Sequence, residues 1–187
     1  MEQHGRLIFR EFQKQDFDLF YSVFSNEQVM QYALRDRYGS REALLPYFLE
    51  VLENNKADEG RKAYEYAVFL SCSGEFIGFA DIDVYARNAY GGCAEIGYFI
   101  LPGFWGRGYA AEIAGALLGI CFGPLALHRV FACCNANNHR SERIMQKIGM
   151  QKEGEFQKAR FKHGQWDNEL RYAILAEEWK DLASKRG

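Results

Sequence analysis

AEIGYFILPGFWGRGYAA, Ala94 to Ala111, runs from an apolar segment through a glycine-rich turn into a helical pattern. Ile96 to Leu101 is apolar and aromatic, and Pro102-Gly103 stops it, which predicts a buried strand ending at Leu101. From Ala110 the apolar residues fall at Ala110, Ile113, Ala114, Leu117, Leu118 and Cys121, the spacing of one helical face, and Gly123-Pro124 closes the pattern. Gly106 and Gly108 stand between strand and helix. Glycines there let the backbone turn tightly and approach a ligand, while the first amides of the new helix point outward and carry the positive end of its dipole. Strand, glycine turn and helix together read as a grip for an anion, best a phosphate.

Gly106 to Ala111 also satisfies the loose G-x-G-x-x-G/A pattern of dinucleotide folds. That pattern wants its glycines directly after the strand and an acidic residue about 20 positions on. Here five residues separate Ile100 from Gly106, and neither Asp nor Glu occurs from Ile113 through Ser141. A Walker loop is excluded because G-x-x-x-x-G-K-[ST] is absent from the sequence.

Trp105-Gly106-Arg107-Gly108-Tyr109-Ala110 resembles the pyrophosphate loop of the GCN5-related N-acetyltransferases, with Trp105 at its first position. Tryptophan there is similar to the branch of ribosomal-protein N-terminal acetyltransferases (RimJ/RimL-like). Other segments agree, in order along the chain. Ala94 to Tyr98 resembles that branch's EIGY strand, Asn138 to Arg143 its N-x-x-S-x-R segment, and Lys147 to Met150 its K-x-G-F element. Glu153-Gly154, Gly164 and Asp167 resemble its tail, and the opening RLIFREFQKQD its start. The resemblance implies an α/β (α+β) fold with a mixed, mostly antiparallel central sheet flanked by helices, and a splayed central strand pair that binds CoA.

It further implies acetyl transfer from acetyl-CoA to a primary amine by direct attack in a ternary complex. The pantetheine arm would lie along the backbone of Phe99, Ile100 and Leu101. The pyrophosphate would lie on the amides of Gly106, Arg107, Gly108, Tyr109 and Ala110 beside Trp105. Asn138 would hold the arm or the loop next to it, and Arg143 or Arg140 would meet the nucleotide phosphates. An attacking ammonium must lose a proton and a departing thiolate gains from receiving one. Glu95 is the candidate base, with a structural carboxylate as the alternative. Many relatives place a tyrosine acid where this chain has Met145, which cannot donate, so Ser141 is the candidate acid. That substitution keeps a second function class open, a non-catalytic acyl-CoA-binding module of the same fold. The acceptor is a protein N-terminal α-amine or a small amine, and the sequence leaves both open.

Around this centre, Leu7 to Phe9 predicts a short strand, Phe12 to Met30 a helix and Arg41 to Asn54 another. Lys56 to Lys62 is a charged loop. Tyr66 to Ser71 and Phe76 to Tyr85 predict a hairpin around Cys72 to Glu75. On its second strand Ile77, Phe79, Asp81, Asp83 and Tyr85 share a face by period two, and Asp81 and Asp83 are candidates to attract an ammonium. Arg87 to Gly92 reads as a turn, His128 to Cys134 as a strand, Ser141 to Ile148 as a helix ended by Gly149, and Glu177 to Ala183 as a last helix. Gly154 to Phe161 and Leu170 to Leu175 would form a closing hairpin.

At 187 residues, 48% hydrophobic and with three prolines, the chain suits one domain over residues 1–187 with a sizeable core. A formal charge of −2 gives no reason to expect nucleic acid or an anionic membrane as partner. No apolar run approaches the roughly 20 residues of a membrane span, so a cytoplasmic protein is expected. Five cysteines without C-x-x-C spacing, and scattered histidines, suggest neither a disulfide framework nor a metal site. A homodimer is an expectation of the branch alone.

Overall fold

The computed structural model describes residues 2–57 and 60–184. The elements in chain order are β1 (Glu2–His4), β2 (Leu7–Glu11), α1 (Phe17–Phe24), α2 (Glu27–Met30), α3 (Arg41–Asn54), β3 (Ala63–Leu70), β4 (Phe76–Asn88), β5 (Gly91–Ile100), α4 (Tyr109–Phe122), β6 (Arg129–Asn135), α5 (His139–Lys147), β7 (Gln151–Lys162), β8 (Gln165–Leu175) and α6 (Ala176–Ser184). The strands form one sheet in the order β1-β2-β3-β4-β5-β6-β8-β7. Every neighbouring pair is antiparallel except β5 and β6. That exception follows from the connection, because only a helical crossover, here α4, returns a strand parallel to its neighbour.

The sheet is buried on both faces by separate apolar clusters. One packs Ile96, Ile100, Val130 and Leu170 against Ile113, Leu117 and Leu118 of α4 and Met145 of α5. The other packs Phe79 and Ala67 under Phe20 and Phe24 of α1 and Phe48 of α3. Phe12, Phe20, Phe24, Phe48 and Phe79 meet edge-on, stacked or tilted with ring centroids 4.5–6.4 Å apart, geometry that suits their quadrupoles.

Arg41 to Asn54 is helical over the predicted span, started by Ser40, whose hydroxyl accepts from the Ala43 amide at 3.2 Å. The helix predicted over Phe12 to Met30 is instead broken. Asn26 lies in extended conformation and its side chain accepts from the Val29 amide, which starts α2 as a separate short helix. Of residues 87–92, read as a turn from polarity and glycine, Ala89 and Tyr90 turn, while Arg87, Asn88, Gly91 and Gly92 are the ends of two long strands with Asn88 opposite Gly91. The short strand β1 was missed. Of the loop expected over Lys56 to Lys62, residues 58 and 59 lie outside the described residues.

β4 carries one extra residue against each neighbour, Ile77 against β3 and Tyr85 against β5. A bulge resets which side a residue faces. Ile77 therefore joins the α4-side cluster while Phe79, two residues on, packs under α1, so the single period-two face expected for Ile77 to Tyr85 is corrected at its first member. Gly149 follows α5 with φ +96°, so the backbone sign favours glycine, and a Cβ there would also have to displace the end of the Leu182 side chain, 2.2 Å away.

Candidate active site

β5 and β6 pair only over Cys93 to Glu95 and Arg129 to Phe131, although β5 continues to Ile100 and β6 to Asn135. Beyond Glu95 the strands diverge, each held by its other neighbour. The Leu101 amide donates to the Ile77 carbonyl at 2.9 Å. By the alternation of an antiparallel ladder, the peptide groups of Phe99 and Leu101 then point to β4, and those of Ile96, Tyr98 and Ile100 point into the gap. The bond from the His128 amide to the Gly92 carbonyl keeps the same phase on the β6 side. Of the three residues whose backbone was expected along the arm, Phe99 and Leu101 thus direct their peptide groups to β4 and only Ile100 faces the gap.

At the end of β5, a single turn over Pro102–Phe104 leads to the glycine loop. Gly106 and Gly108 have φ of +77° and +84°, left-handed values that an L side chain adopts only with strain. Gly108 is the residue before the first turn of α4 and offers no side chain to cap it. Residues 106–108 are exposed, so the leading amides of α4 are open to a ligand. Trp105 is tied down: its indole N–H donates to the Ile100 carbonyl at 2.7 Å, and the Arg140 guanidinium lies 5.2 Å from its ring. Of the two arginines considered for the nucleotide, Arg140 is thus at the loop, whereas Arg143 is exposed further along α5. Arg107 is exposed, with its guanidinium over Phe104.

Arg6 was missed. Its Nη2 donates to the Arg107 carbonyl at 3.1 Å, its Nε pairs with Glu112 at 3.0 Å, and its guanidinium lies 4.6 Å from the Tyr109 ring. It fastens the start of α4 and adds positive charge beside the loop. Local sequence held no signal for it, since the contact spans about a hundred residues.

Asn138 accepts from the Ser141 amide at 3.2 Å, capping α5. Ser141 Oγ lies 3.2 Å from the Tyr98 hydroxyl, across the gap from β5 to α5. Burial pushes Tyr98 up to about 12, so its proton is retained throughout the neutral range. Met145, 1% exposed, is core.

On the opposite face, Asp83 stands opposite Glu95, and Glu65 and Gly97 flank Asp81. Asp81, Asp83 and Glu95 are therefore together, joined by Glu65, which lies just before the strand predicted from Tyr66 and belongs to β3. Tyr85 donates to Glu95 Oε2 at 3.0 Å. Burial raises the Glu95 carboxyl, and repulsion from Asp83 adds to it, against the opposing hydrogen bonds of Tyr85 and Cys133. Asp83 is also raised by burial, with Arg35 opposing. A cleft of about 260 Å³ lined by Lys62, Ala63, Asp83, Val84 and Tyr85 opens beside this row. Among the described residues, no three or more His, Cys, Asp or Glu are grouped to hold a metal ion.

A diverging parallel pair, a left-handed glycine loop and a helix start follow one another along the chain from β5 to α4. Residues 6–151 match the model of the acetyltransferase (GNAT) domain. The chain belongs to the GNAT acetyltransferase family. It is 35% identical over 175 residues to the uncharacterized N-acetyltransferase YnaD of Bacillus subtilis, covering 93% of this chain and 96% of that one. A GNAT-family acetyltransferase structure from Bacillus anthracis superposes with a TM-score of 0.76 at 30% identity, covering 94% of this chain and 98% of the other. A spermidine N-acetyltransferase from Vibrio cholerae, solved with CoA and spermine, shares the fold with a TM-score of 0.81 at 20% identity over 94% and 99% of the two chains. The GNAT sheet of this chain is mixed and mostly antiparallel, with helices on both faces. No helix among the described residues is long and apolar enough to cross a membrane.

Proposed function

We propose that residues 1–187 act as one acetyl-CoA-dependent N-acetyltransferase, which acetylates a primary amine by direct attack in a ternary complex. The observation that carries this reading is the divergence of β5 from β6 just beyond Glu95, between the glycine loop and a row of carboxylates. Acetyl-CoA, when bound, supplies an acetyl group already activated as a thioester. The chain's own groups fit it: gap-facing peptides of Ile96 and Tyr98 and the Ile100 amide for the arm, and the amides of residues 106–110 with Arg107 and Arg140 for the phosphates. Arg143 is left for the outer phosphates.

Glu95 takes the proton from the acceptor ammonium, directly or through water, and burial, by raising its carboxyl, makes it a stronger base than an ordinary glutamate. The freed nitrogen forms the new C–N bond as the C–S bond breaks, and the Ser141 hydroxyl, backed by Tyr98, gives a proton to the sulfur and is restored by the second proton the nitrogen sheds. Ammonium and thioester in become amide and thiol out, with one proton released through Glu95. Cys133 lies against Glu95 and Arg171, but burial and the Glu95 charge push its thiol up to about 12. That favours direct attack over an acyl-cysteine route.

The acceptor is a cationic amine drawn by Asp81, Asp83 and Glu95. The branch resemblance admits a peptide N-terminus, and the fold shared with a spermidine acetyltransferase admits a small amine. All five cysteines are free, which supports the reducing setting of the cytoplasm. The experiment is a thermal-shift titration with acetyl-CoA, CoA and NAD, followed by thiol release with pooled amines and peptides. A ligand at 100 times its Kd stabilises by about 2.7 kcal/mol, a shift of several degrees. Stabilisation by both CoA species with thiol release is expected. CoA binding without release from any pool would favour the binding module, for which the buried Met145 at the usual acid position speaks.

A further inference from the structure

The side of the sheet covered by α1 and α3 holds more carboxyl groups than removing one proton requires. Glu65, Asp81, Asp83 and Glu95 stand on three adjacent strands, with Glu65 opposite Asp81 and Asp83 opposite Glu95. Glu65 is only 5% exposed. Its Oε1 accepts from Asn54 Nδ2 at 3.2 Å, while its Oε2 is buried with no hydrogen-bond partner among the described residues. Asp81 Oδ1 is in the same condition. The Asp81 carboxylate lies over Gly97, where a Cβ would sit 2.4 Å from Oδ1, so a glycine in the middle of β5 makes the space it occupies. Two facing carboxyls with unpaired buried oxygens resist ionisation, burial raising both, and they carry negative charge only at a desolvation cost that a bound cation would offset.

The other charged groups around them do not cancel that charge. Arg35 acts on Asp81 and Asp83 from the segment after α2. Arg61 acts on Glu65 but is spent on Glu11 and Asn55. From α3, Glu50 adds a further negative charge toward Glu65 and Asp83, and Tyr47 a hydroxyl near Asp81 and Glu65. Because no three of these carboxylates converge as metal ligands, the cation that fits is extended, with its charges apart. Two residues along a strand is roughly 6.6 Å. The nitrogens of a three- or four-carbon diamine are roughly 5–6 Å apart by ordinary bond lengths.

We infer that Glu65 and Asp81 form a second ammonium subsite, so that the acceptor is a small di- or polyamine whose reacting nitrogen lies at Glu95 while another ammonium is held between these two carboxylates. The inference rests on the proposed acetyl transfer and narrows its acceptor. A peptide N-terminus offers one ammonium followed by neutral amides, which leave the buried pair unpaired.

The test compares 1,4-diaminobutane and spermidine with n-butylamine and a neutral tripeptide, by calorimetric binding to the CoA-loaded full chain and by steady-state kinetics. Wild type should bind both polyamines about tenfold or more tighter than butylamine, the size of one charge-assisted bond. Glu65→Gln, which keeps the shape, and Asp81→Asn should each raise the diamine KM about tenfold and erase the preference, with the CoA-induced thermal shift retained as proof of folding. Equal binding of butylamine, tighter binding of the tripeptide, or an undiminished preference in Glu65→Gln would overturn the subsite. Failure of the acetyl-transfer reading looks different: no stabilisation by CoA and no thiol released with any amine.

Discussion

The Tyr85 hydroxyl donates to Glu95 Oε2 at 3.0 Å, from the residue by which β4 exceeds its partner strand β5. The bond favours ionised Glu95, while burial and Asp83 oppose ionisation, so the carboxyl titrates above the usual glutamate range. A base works deprotonated, so kcat/KM should fall as pH drops through this raised pKa. Tyr85→Phe removes the opposing bond and should move that acid limb to higher pH. Glu95→Gln should lower kcat about a hundredfold or more and abolish the limb. A pH profile of both variants checks this; a limb that stays put in Glu95→Gln would show that another group is the base.

Ser141 and Tyr98 face each other across the gap. Ser141→Ala should lower kcat about tenfold or more with CoA affinity intact, and Tyr98→Phe by a smaller factor. An acetyl thioester of a more acidic thiol needs no proton to depart. It should restore the Ser141→Ala rate, and an equal defect with both thioesters would remove the hydroxyl from the acid role.

Gly108 combines φ +84° with an exposed backbone at the start of α4. Gly108→Val should weaken CoA binding severely and cost about 1–3 kcal/mol of stability through backbone strain. Calorimetry and a melting curve separate the two effects. Unchanged CoA affinity would dismiss the loop as the phosphate site.

Glu65 makes a prediction about stability in the absence of amine. Burial, with repulsion from Asp83, raises its carboxyl to about 7 from the ordinary glutamate value of 4.5. Between those values the folded chain binds the proton and the unfolded chain does not, so stability falls as pH rises through this window. The loss reaches up to about 3 kcal/mol by pH 8. Glu65→Gln should therefore raise Tm at pH 8 and change it little at pH 4. Equal effects at both pH values would mean that folding does not raise the Glu65 carboxyl.

Much of the fold was legible where the signal is local. The period of Arg41 to Asn54 gave α3, and Pro102, Gly106 and Gly108 marked the turn from β5 into α4. Asn26 interrupted a helix whose apolar period continued, because a side-chain cap outweighed the pattern. The carboxylates were legible in part: Asp81 and Asp83 break an apolar strand, whereas Glu65 sits in a strand whose partner is not written beside it.

By itself the sequence determined the strand, the glycine turn, the helix that follows and the acidic alternation of β4, since each rests on backbone preference within a few residues. Tertiary structure alone decided that β5 and β6 part beyond Glu95, that Tyr85 reaches Glu95, that Arg6 meets Arg107 and that Glu65 faces Asp81. The physical reason is register. Pairing between strands is set by the packing of two apolar clusters and by bulges at Ile77 and Tyr85, and a shift of one residue would have turned every carboxylate to the other face.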